Sequence, residues 1–570
     1  MSTVLHQLAK TEKGQETGLR ETLGQRRTEE LVFALVGPAG SGVTKTGDIL
    51  VDALKSQYGY EVNYYKVSSL IIESAELQLN IRRGDIPTSG TARTRKLQEI
   101  GNDLRKEFGH DYLAKKCVEK IVDLRQKKGG FEFSKTDPSL PNVARPMPVR
   151  RAHIIDSIKH VEEVRLLQQI YGDMFWLIGV FAPEKLRRNR LTDLLKPKSI
   201  SEIDEILEHD AHEAEQYGQK VRDTFDKADF FIRNDQENDE TLRKTINRYL
   251  EIVFDQNVHT PFRDEEAMYK AQSVAANSAC LSRQVGAAIY SEDSELVGIG
   301  WNDVPKFNGS LYRAEDGEGD HRCYKWKGKI CHNDKHKNDL YEKIINLIEA
   351  SQAETRKAIE QKIKNLVVGS PDKMILDRLL PAINEVYATP APSLKQIAEV
   401  TNLDRLIEFS RSVHAEMEAI ISAARDSKGS LRGATMYVTT FPCHSCARHI
   451  VAAGITRVVY IEPYPKSLAK DLHSDSIYLF DTDTGEGGQV RFEQYQGVAP
   501  KNIIRLFKSG LPRKENGAST YAGRNKKEAS PVSKVALDGF VTNEILIVGE
   551  LHQMEQERGA KKHPLTPKSV

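Results

Sequence analysis

The 570 residues are too many for one hydrophobic core and predict two to four domains. Lys plus Arg number 82 and Asp plus Glu 81, so the net charge of +1 excludes a chain drawn as a whole to nucleic acid or anionic lipid. Hydrophobic residues at 39% and charged residues at 29% exclude a disordered chain and fit a soluble globular one.

In chain order, residues 1–28 are polar and aperiodic and read as a mobile arm. Leu31–Val36 is an apolar run suited to a buried parallel strand. It enters the glycine-rich stretch GPAGSGVTKTG, followed by a helical pattern over 48–59 and a strand over 61–68, which together make a βαβ unit. The same grammar returns as a strand over 151–158, a helix over 161–171, a strand over 174–181 and a short strand over 229–233. This alternation predicts an N-terminal doubly wound α/β domain over 29–253. The longest uncharged apolar run, 174–183, falls well short of the ~20 residues a membrane span needs, so no membrane partner is expected. The N-terminus lacks an apolar signal core, and six scattered cysteines do not suggest a disulfide framework. The expectation is a cytoplasmic protein.

A second domain is expected over 254–510. It opens with a helical pattern from 264 and a hairpin of strands at 284–290 and 295–301 around the turn 291–294. An insertion over about 303–408 begins Gly-, Asp-, His- and Lys-rich and continues with helical patterns at 339–367, 372–387 and 393–408. Helix, strand, helix, strand then follow from 414 to 462. Residues 508–534 carry a net charge of +5 and read as a basic linker, so 511–570 is assigned as linker and C-terminal tail, with 540–554 apolar enough to dock back.

The strongest chemical signal is His414-Ala-Glu416 with Pro442-Cys443-His444-Ser445-Cys446. His414, Cys443 and Cys446 are zinc ligand types, and three protein ligands leave the fourth tetrahedral position open, as a catalytic zinc requires. Both groups fall at expected helix N-termini, where the helix dipole favours a thiolate. Glu416, two residues past His414, reads as the acid/base group that moves a proton between water, ring nitrogen and leaving amine. The H-x-E and P-C-x-x-C pair is the signature of zinc nucleobase deaminases. A structural zinc knuckle is the blander reading.

Gly37-Pro-Ala-Gly40-Ser41-Gly42-Val43-Thr44 follows the phosphate-binding pattern G-x-x-x-x-G-K-[ST] except that Val43 replaces the lysine. Lys45 lies two residues on, at another side of the helix. Gly37, Gly40, Ser41, Gly42 and Thr44 can still cradle a nucleotide phosphate through backbone N–H groups, so nucleotide binding or a scaffold role is expected rather than phosphoryl transfer. Asp156 is a candidate Mg²⁺ ligand or a cap. Arg187, Arg188 and Arg190 form either a lid over phosphates or a solvated helix face. His321, Cys323, Cys331, His332 and His336 crowd sixteen residues of the insertion. They read as a second, structural zinc site on Cys323 and Cys331 or as a surface loop with free thiols. Cys280 reads as core or as a contributor to that second site, Cys117 as core, and Arg283 as a substrate-phosphate contact or a surface charge.

The segments SRQVGAAIYSEDSELVGIGWNDVP, HAEMEAI and FPCHSCARHIVAAGITRVVYIEPYP resemble the first hairpin and the two zinc segments of deoxycytidylate deaminases, over roughly 264–510 apart from the insertion. The resemblance implies a three-layer α/β/α cytidine deaminase-like domain and conversion of a deoxycytidine nucleotide to a deoxyuridine nucleotide plus ammonia. It also implies that Asn302, in Gly300-Trp-Asn302, contacts the sugar. Fusion of such a domain to a P-loop, nucleotide kinase-like domain resembles the bacterial antiphage dCTP deaminases. That implies depletion of dCTP and dCMP during infection, a homo-oligomer, and restraint by a small RNA. The alternatives are a deaminase of cytosine or adenine within RNA or DNA, a housekeeping dCMP deaminase supplying dUMP, and a module without catalysis.

Overall fold

The computed structural model describes residues 27–128, 131–133, 144–146, 149–211, 221–235, 238–365, 409–426, 429–464, 467–480, 488–508 and 512–562, with scattered positions between 371 and 385. They divide into two compact units, one of residues 1–269, 479–485 and 493–570, the other of residues 270–478 and 486–492. Along the chain run β1 (Leu31–Val36), α1 (Val43–Ser56), β2 (Glu61–Lys66), α2 (Val67–Gln78), α3 (Gly90–Phe108), α4 (Tyr112–Lys127), β3 (Arg151–Asp156), α5 (Val161–Tyr171), β4 (Phe175–Phe181), α6 (Glu184–Leu195), β5 (Phe230–Arg233) and α7 (Glu240–Val253). There follow α8 (Arg263–Ala275), β6 (Gly286–Tyr290), β7 (Leu296–Trp301), α9 (His332–Lys364), α10 (Ala415–Arg425), β8 (Thr435–Thr440), α11 (His444–Ala452), β9 (Arg457–Glu462), β10 (Ile477–Leu479), β11 (Val490–Gln494), β12 (Gly497–Val498) and α12 (Leu537–Lys562).

In the first unit the strands pair in the order β12-β5-β4-β1-β3-β2. The five longer strands are parallel, with Phe33 beside Ile154 and Trp176 and Ile178 beside Phe230. Every residue of β1, β3 and β4 is buried, which explains why β1 and β4 read as continuous apolar runs rather than alternating ones. Helix α1 starts at Val43, five residues before the apolar pattern begins, and its first turns bury Thr46 and Gly47 beside Val43. A Cβ on Gly47 would lie 2.5 Å from the Tyr64 hydroxyl, so a side chain there would have to displace the Tyr64 ring.

Three features of this unit depart from the sequence expectation. β12, a two-residue strand, adds antiparallel to β5 from far along the chain and was too short to show a pattern. The stretch expected as a basic linker is instead bonded into the unit. Val532 N–H donates to Val253 at 2.9 Å, Arg524 Nη1 to the Asp255 carbonyl at 2.8 Å, and Lys526 Nζ to Glu251 Oε1 at 2.8 Å. Lys526 pairs with Glu251 and Lys534 with Glu29, which a net sum along the sequence cannot reveal. The docking segment expected at 540–554 is the longer helix α12, held on α4 by Lys115 to Glu550 at 2.7 Å and by Tyr112 to Glu555 at 2.7 Å.

In the second unit the order is β10-β11-β9-β8-β6-β7. β6 and β7 form the expected antiparallel hairpin, β8 runs antiparallel to β6, and β8 and β9 are parallel. Helix α10 lies directly on β7. A Cβ on Gly300 would sit 2.2 Å from the Ala415 carbonyl, and one on Gly298 2.5 Å from that of Ala419. Ala415, Ala419 and Ala423, all buried, complete this small-residue seam. The start of the insertion is pinned by a buried ion cluster in which Arg322 bonds Asp320 at 2.8 Å and approaches Asp303 at 3.6 Å. α9 begins at His332, earlier than the helix expected from 339, while the helix expected over 393–408 and most of that over 372–387 lie outside the described residues. No described helix is long and apolar enough to cross a membrane.

Candidate metal centre and substrate cavity

Two chain crossings build the centre. Val413 N–H donates to the Asp303 carbonyl at 2.9 Å, which fixes the approach to α10 beside the end of β7. His414 then sits at the N-cap of α10, in extended backbone conformation. Cys443 is the N-cap of α11, reached from β8 through Phe441, whose N–H donates to the Glu462 carbonyl at 2.7 Å. Its sulfur accepts from the Cys446 N–H at 3.4 Å, so the thiol itself caps the helix.

His414 Nδ1 lies 3.4 Å from Cys443 Sγ and 3.3 Å from Cys446 Sγ. Among the described residues these three form the one group of three or more His, Cys, Asp or Glu donors that converge, with ligand atoms all within 4.8 Å. One imidazole and two thiols at two helix N-termini fit a zinc ion with a coordination position left over. The hydrogen bond from the Cys446 thiol, with help from His414 and against burial, holds Cys443 down at about 4. Burial lowers the His414 pKa, but the bond to Cys443 and the charges of Glu416 and Cys443 outweigh it and hold it up at about 9. The shared Cys443 bond and burial keep Cys446 protonated.

Glu416, in the first turn of α10, is 4% exposed. Burial, reinforced by the Cys443 charge, pushes its carboxyl up to about 7. His414, Glu416 and Cys443 face a cavity of about 680 Å³, which Cys280, Arg283, Asn302, Cys323, Cys331 and Arg411 also line. This volume suits a nucleotide-sized ligand.

Asn302 reaches the cavity but its amide is also structural, with Oδ1 accepting from Val285 N–H at 2.7 Å and Nδ2 donating to the Arg283 carbonyl at 2.8 Å. Arg283 is 56% exposed and lies 3.6 Å from Glu462. Cys280 is half-buried at the cavity wall rather than in the core, whereas Cys117 is fully buried. Cys323 and Cys331 line the same cavity without joining a three-donor cluster. The neighbouring histidines are engaged elsewhere: His321 with the Tyr312 hydroxyl at 3.3 Å, His332 against Trp326, His336 against Phe409. Arg411 escaped sequence reasoning. Its guanidinium stacks 3.6 Å over Trp326 and bonds the His321 carbonyl at 3.1 Å, an arrangement that only the folded insertion creates.

In the other unit, the glycine-rich loop joins β1 to α1. Gly40 and Gly42 take φ of +80° and +83°, and a Cβ on Gly42 would lie 2.1 Å from Asn234 Nδ2. Asn234 donates to the Ser41 carbonyl at 2.9 Å. Thr44 donates to Asp156 at 2.9 Å, and Tyr64 to the same carboxylate oxygen at 3.0 Å. Of the three lid arginines, Arg187 and Arg190 reach the loop, donating to the Ala39 and Gly40 carbonyls at 3.3 and 3.4 Å, while Arg188 pairs with Glu184 and Asp204.

Residues 262–462 match the family model described as the cytidine and deoxycytidylate deaminase zinc-binding region. Over 55 residues, 10% of this chain and 29% of the relative, the protein is 51% identical to the deoxycytidylate deaminase of Enterobacteria phage T2. Over 181 residues, 31% of this chain and 48% of the relative, it is 25% identical to a UPF0200/UPF0201 protein of Archaeoglobus fulgidus. The chain thus spans less than half the length of either curated relative. A solved dCMP deaminase from cyanophage S-TIM5, in complex with dCMP and dUMP, is 17% identical and aligns over 42% of this chain and 100% of its own. Its TM-score is 0.20, and so slight a superposition carries no structural argument.

Proposed function

We propose that this chain deaminates free deoxycytidine nucleotides, converting dCMP and dCTP to dUMP and dUTP with release of ammonia. The observation that carries the reading is the convergence of His414, Cys443 and Cys446 with buried Glu416 at one nucleotide-sized cavity. The family match over 262–462 supports the same chemistry.

His414, Cys443 and Cys446 would hold zinc, which supplies a Lewis acid able to make water nucleophilic near neutral pH. Glu416 takes the proton of the attacking water, passes it to cytosine N3, and delivers a proton to the departing amine. A C4–O bond forms, the C4–N4 bond breaks, and water is consumed as ammonia leaves. Burial of Glu416 suits both halves of this transfer, because a carboxyl freed from its usual strong acidity can both accept and return a proton. Arg283 and Asn302 line the cavity where the phosphate and sugar would lie.

In the finer form of the proposal, dCTP is a substrate and its depletion serves defence against phage, with a homo-oligomer and a restraining small RNA as partners. The first unit is read as a P-loop, nucleotide kinase-like domain whose residues Gly37, Gly40, Ser41, Gly42 and Thr44 bind a nucleotide. The βαβ geometry around that loop supports this reading.

The test is incubation of the zinc-loaded chain with dCMP, dCTP, CTP and a deoxycytidine-containing oligonucleotide, with products followed by mass. The expected outcome is a gain of one mass unit on dCMP or dCTP, the difference between NH and O, with the oligonucleotide unchanged. Conversion of the oligonucleotide alone would overturn the proposal in favour of a polymer deaminase.

A further inference from the structure

We infer that Lys159 supplies, from outside the glycine-rich loop, the positive charge that Val43 withholds, so that the loop takes the phosphate chain of a nucleoside triphosphate. The inference rests on the nucleotide-binding reading of residues 37–44. The loop ends at the N-terminus of α1, a helix of 14 residues whose N-cap, Gly42, makes no side-chain capping bond. Helix N-termini attract anions through open N–H groups and the helix dipole. A second observation points to a ligand. The Ser41 hydroxyl is fully buried and has no hydrogen-bond partner. It faces across the loop, since a Cβ on Gly37 would lie 2.6 Å from it. A buried donor left unmatched carries a desolvation cost that a seated anion would remove.

Cationic side chains from two further elements close on the loop. Lys159, in the connection between β3 and α5, donates from Nζ to the Gly37 carbonyl at 3.1 Å. Arg187 and Arg190 of α6 donate to the Ala39 and Gly40 carbonyls of the same loop. The charge of the Asp235 carboxylate reaches Arg190. Asp156 accepts from Thr44, Tyr64 and Ser157, and Asp235 accepts from Arg233 at 2.6 Å. Lys45, the loop's own lysine, is ion-paired with Asp239. The lysine at the sequence position nearest the expected one is therefore turned away, and a lysine distant in sequence stands at the first residue of the motif. An ammonium needs no particular planar geometry to bind phosphate, so a lysine entering from another element can serve where one in the loop does not.

The test is calorimetric titration of the zinc-loaded full chain with ATP and with inorganic tripolyphosphate. Lys159→Ala and Lys159→Gln should each weaken binding by roughly tenfold or more, the loss expected for one charge-assisted phosphate contact. Lys159→Gln retains an N–H donor for the Gly37 carbonyl, so it separates lost charge from a disturbed loop. Lys45→Ala should bind within about twofold of the unaltered chain. Thermal unfolding midpoints check that each variant is folded. Wild-type affinity in both Lys159 variants would overturn the inference and leave the nucleotide reading standing. Failure of the unaltered chain to bind either probe would overturn that reading as well.

Discussion

Two buried or half-buried glutamates show how one residue type serves opposite ends. Glu416 has a pKa raised to about 7 by burial beside the Cys443 sulfur, which suits a group that exchanges protons. Glu251 is held down at about 2, first by its hydrogen bond with His259, against burial, then by Lys526 and Asn257, while Tyr58 lies near enough to feel its charge. A depressed carboxylate stabilises the fold above its unfolded pKa, near 4.5, and that contribution fades as pH falls towards 2. Glu251→Gln should therefore lower the urea midpoint near neutral pH, and the gap to the unaltered chain should close in acid. A gap constant across that range would show that the Glu251 contacts contribute no pH-dependent stability.

At the scale of elements, the centre depends on how closely α10 lies on β7. Gly300 has no room for a side chain, because a Cβ there would meet the Ala415 carbonyl at 2.2 Å and the Ala419 nitrogen at 2.4 Å. Gly300→Ala should push the helix off the sheet at the turn that carries His414 and Glu416. The expected result is about 1–3 kcal/mol of lost stability and reduced zinc content per folded chain, by denaturant unfolding and metal analysis. Full zinc content at unchanged stability would contradict this packing account. The sequence made most of these elements legible. The H-x-E and P-C-x-x-C groups sit at helix starts, and β6–β7 was visible from its alternation and turn. What stayed hidden was made by contact. Arg411 enters the cavity only because the insertion folds Trp326 beneath it, and Asn302 braces Val285 through bonds that no spacing announces.

At the scale of the molecule, the sequence shows two α/β bodies but not which residues complete them. The first sheet takes β12 from residues 497–498, and its unit includes the charged stretch that ends in α12. Long-range pairing of a two-residue strand leaves no periodicity, and a lysine-rich segment looks like a linker until its carboxylate partners are located. The metal centre and its cavity are drawn entirely from the second unit, while the glycine-rich loop belongs to the first. The proposed deamination and the proposed nucleotide binding should therefore be separable by mutation, with Glu416 reporting on one and Lys159 on the other.

In the proposed reaction Glu416 moves the proton while His414, Cys443 and Cys446 hold the metal. The most direct measurement is ammonia release from dCMP, with zinc content determined in parallel, for the unaltered chain and for Glu416→Gln. Glu416→Gln should keep its zinc and lose roughly 10²–10⁴-fold in rate, the usual worth of general acid–base catalysis. A Glu416→Gln chain that releases ammonia at the unaltered rate would contradict that role.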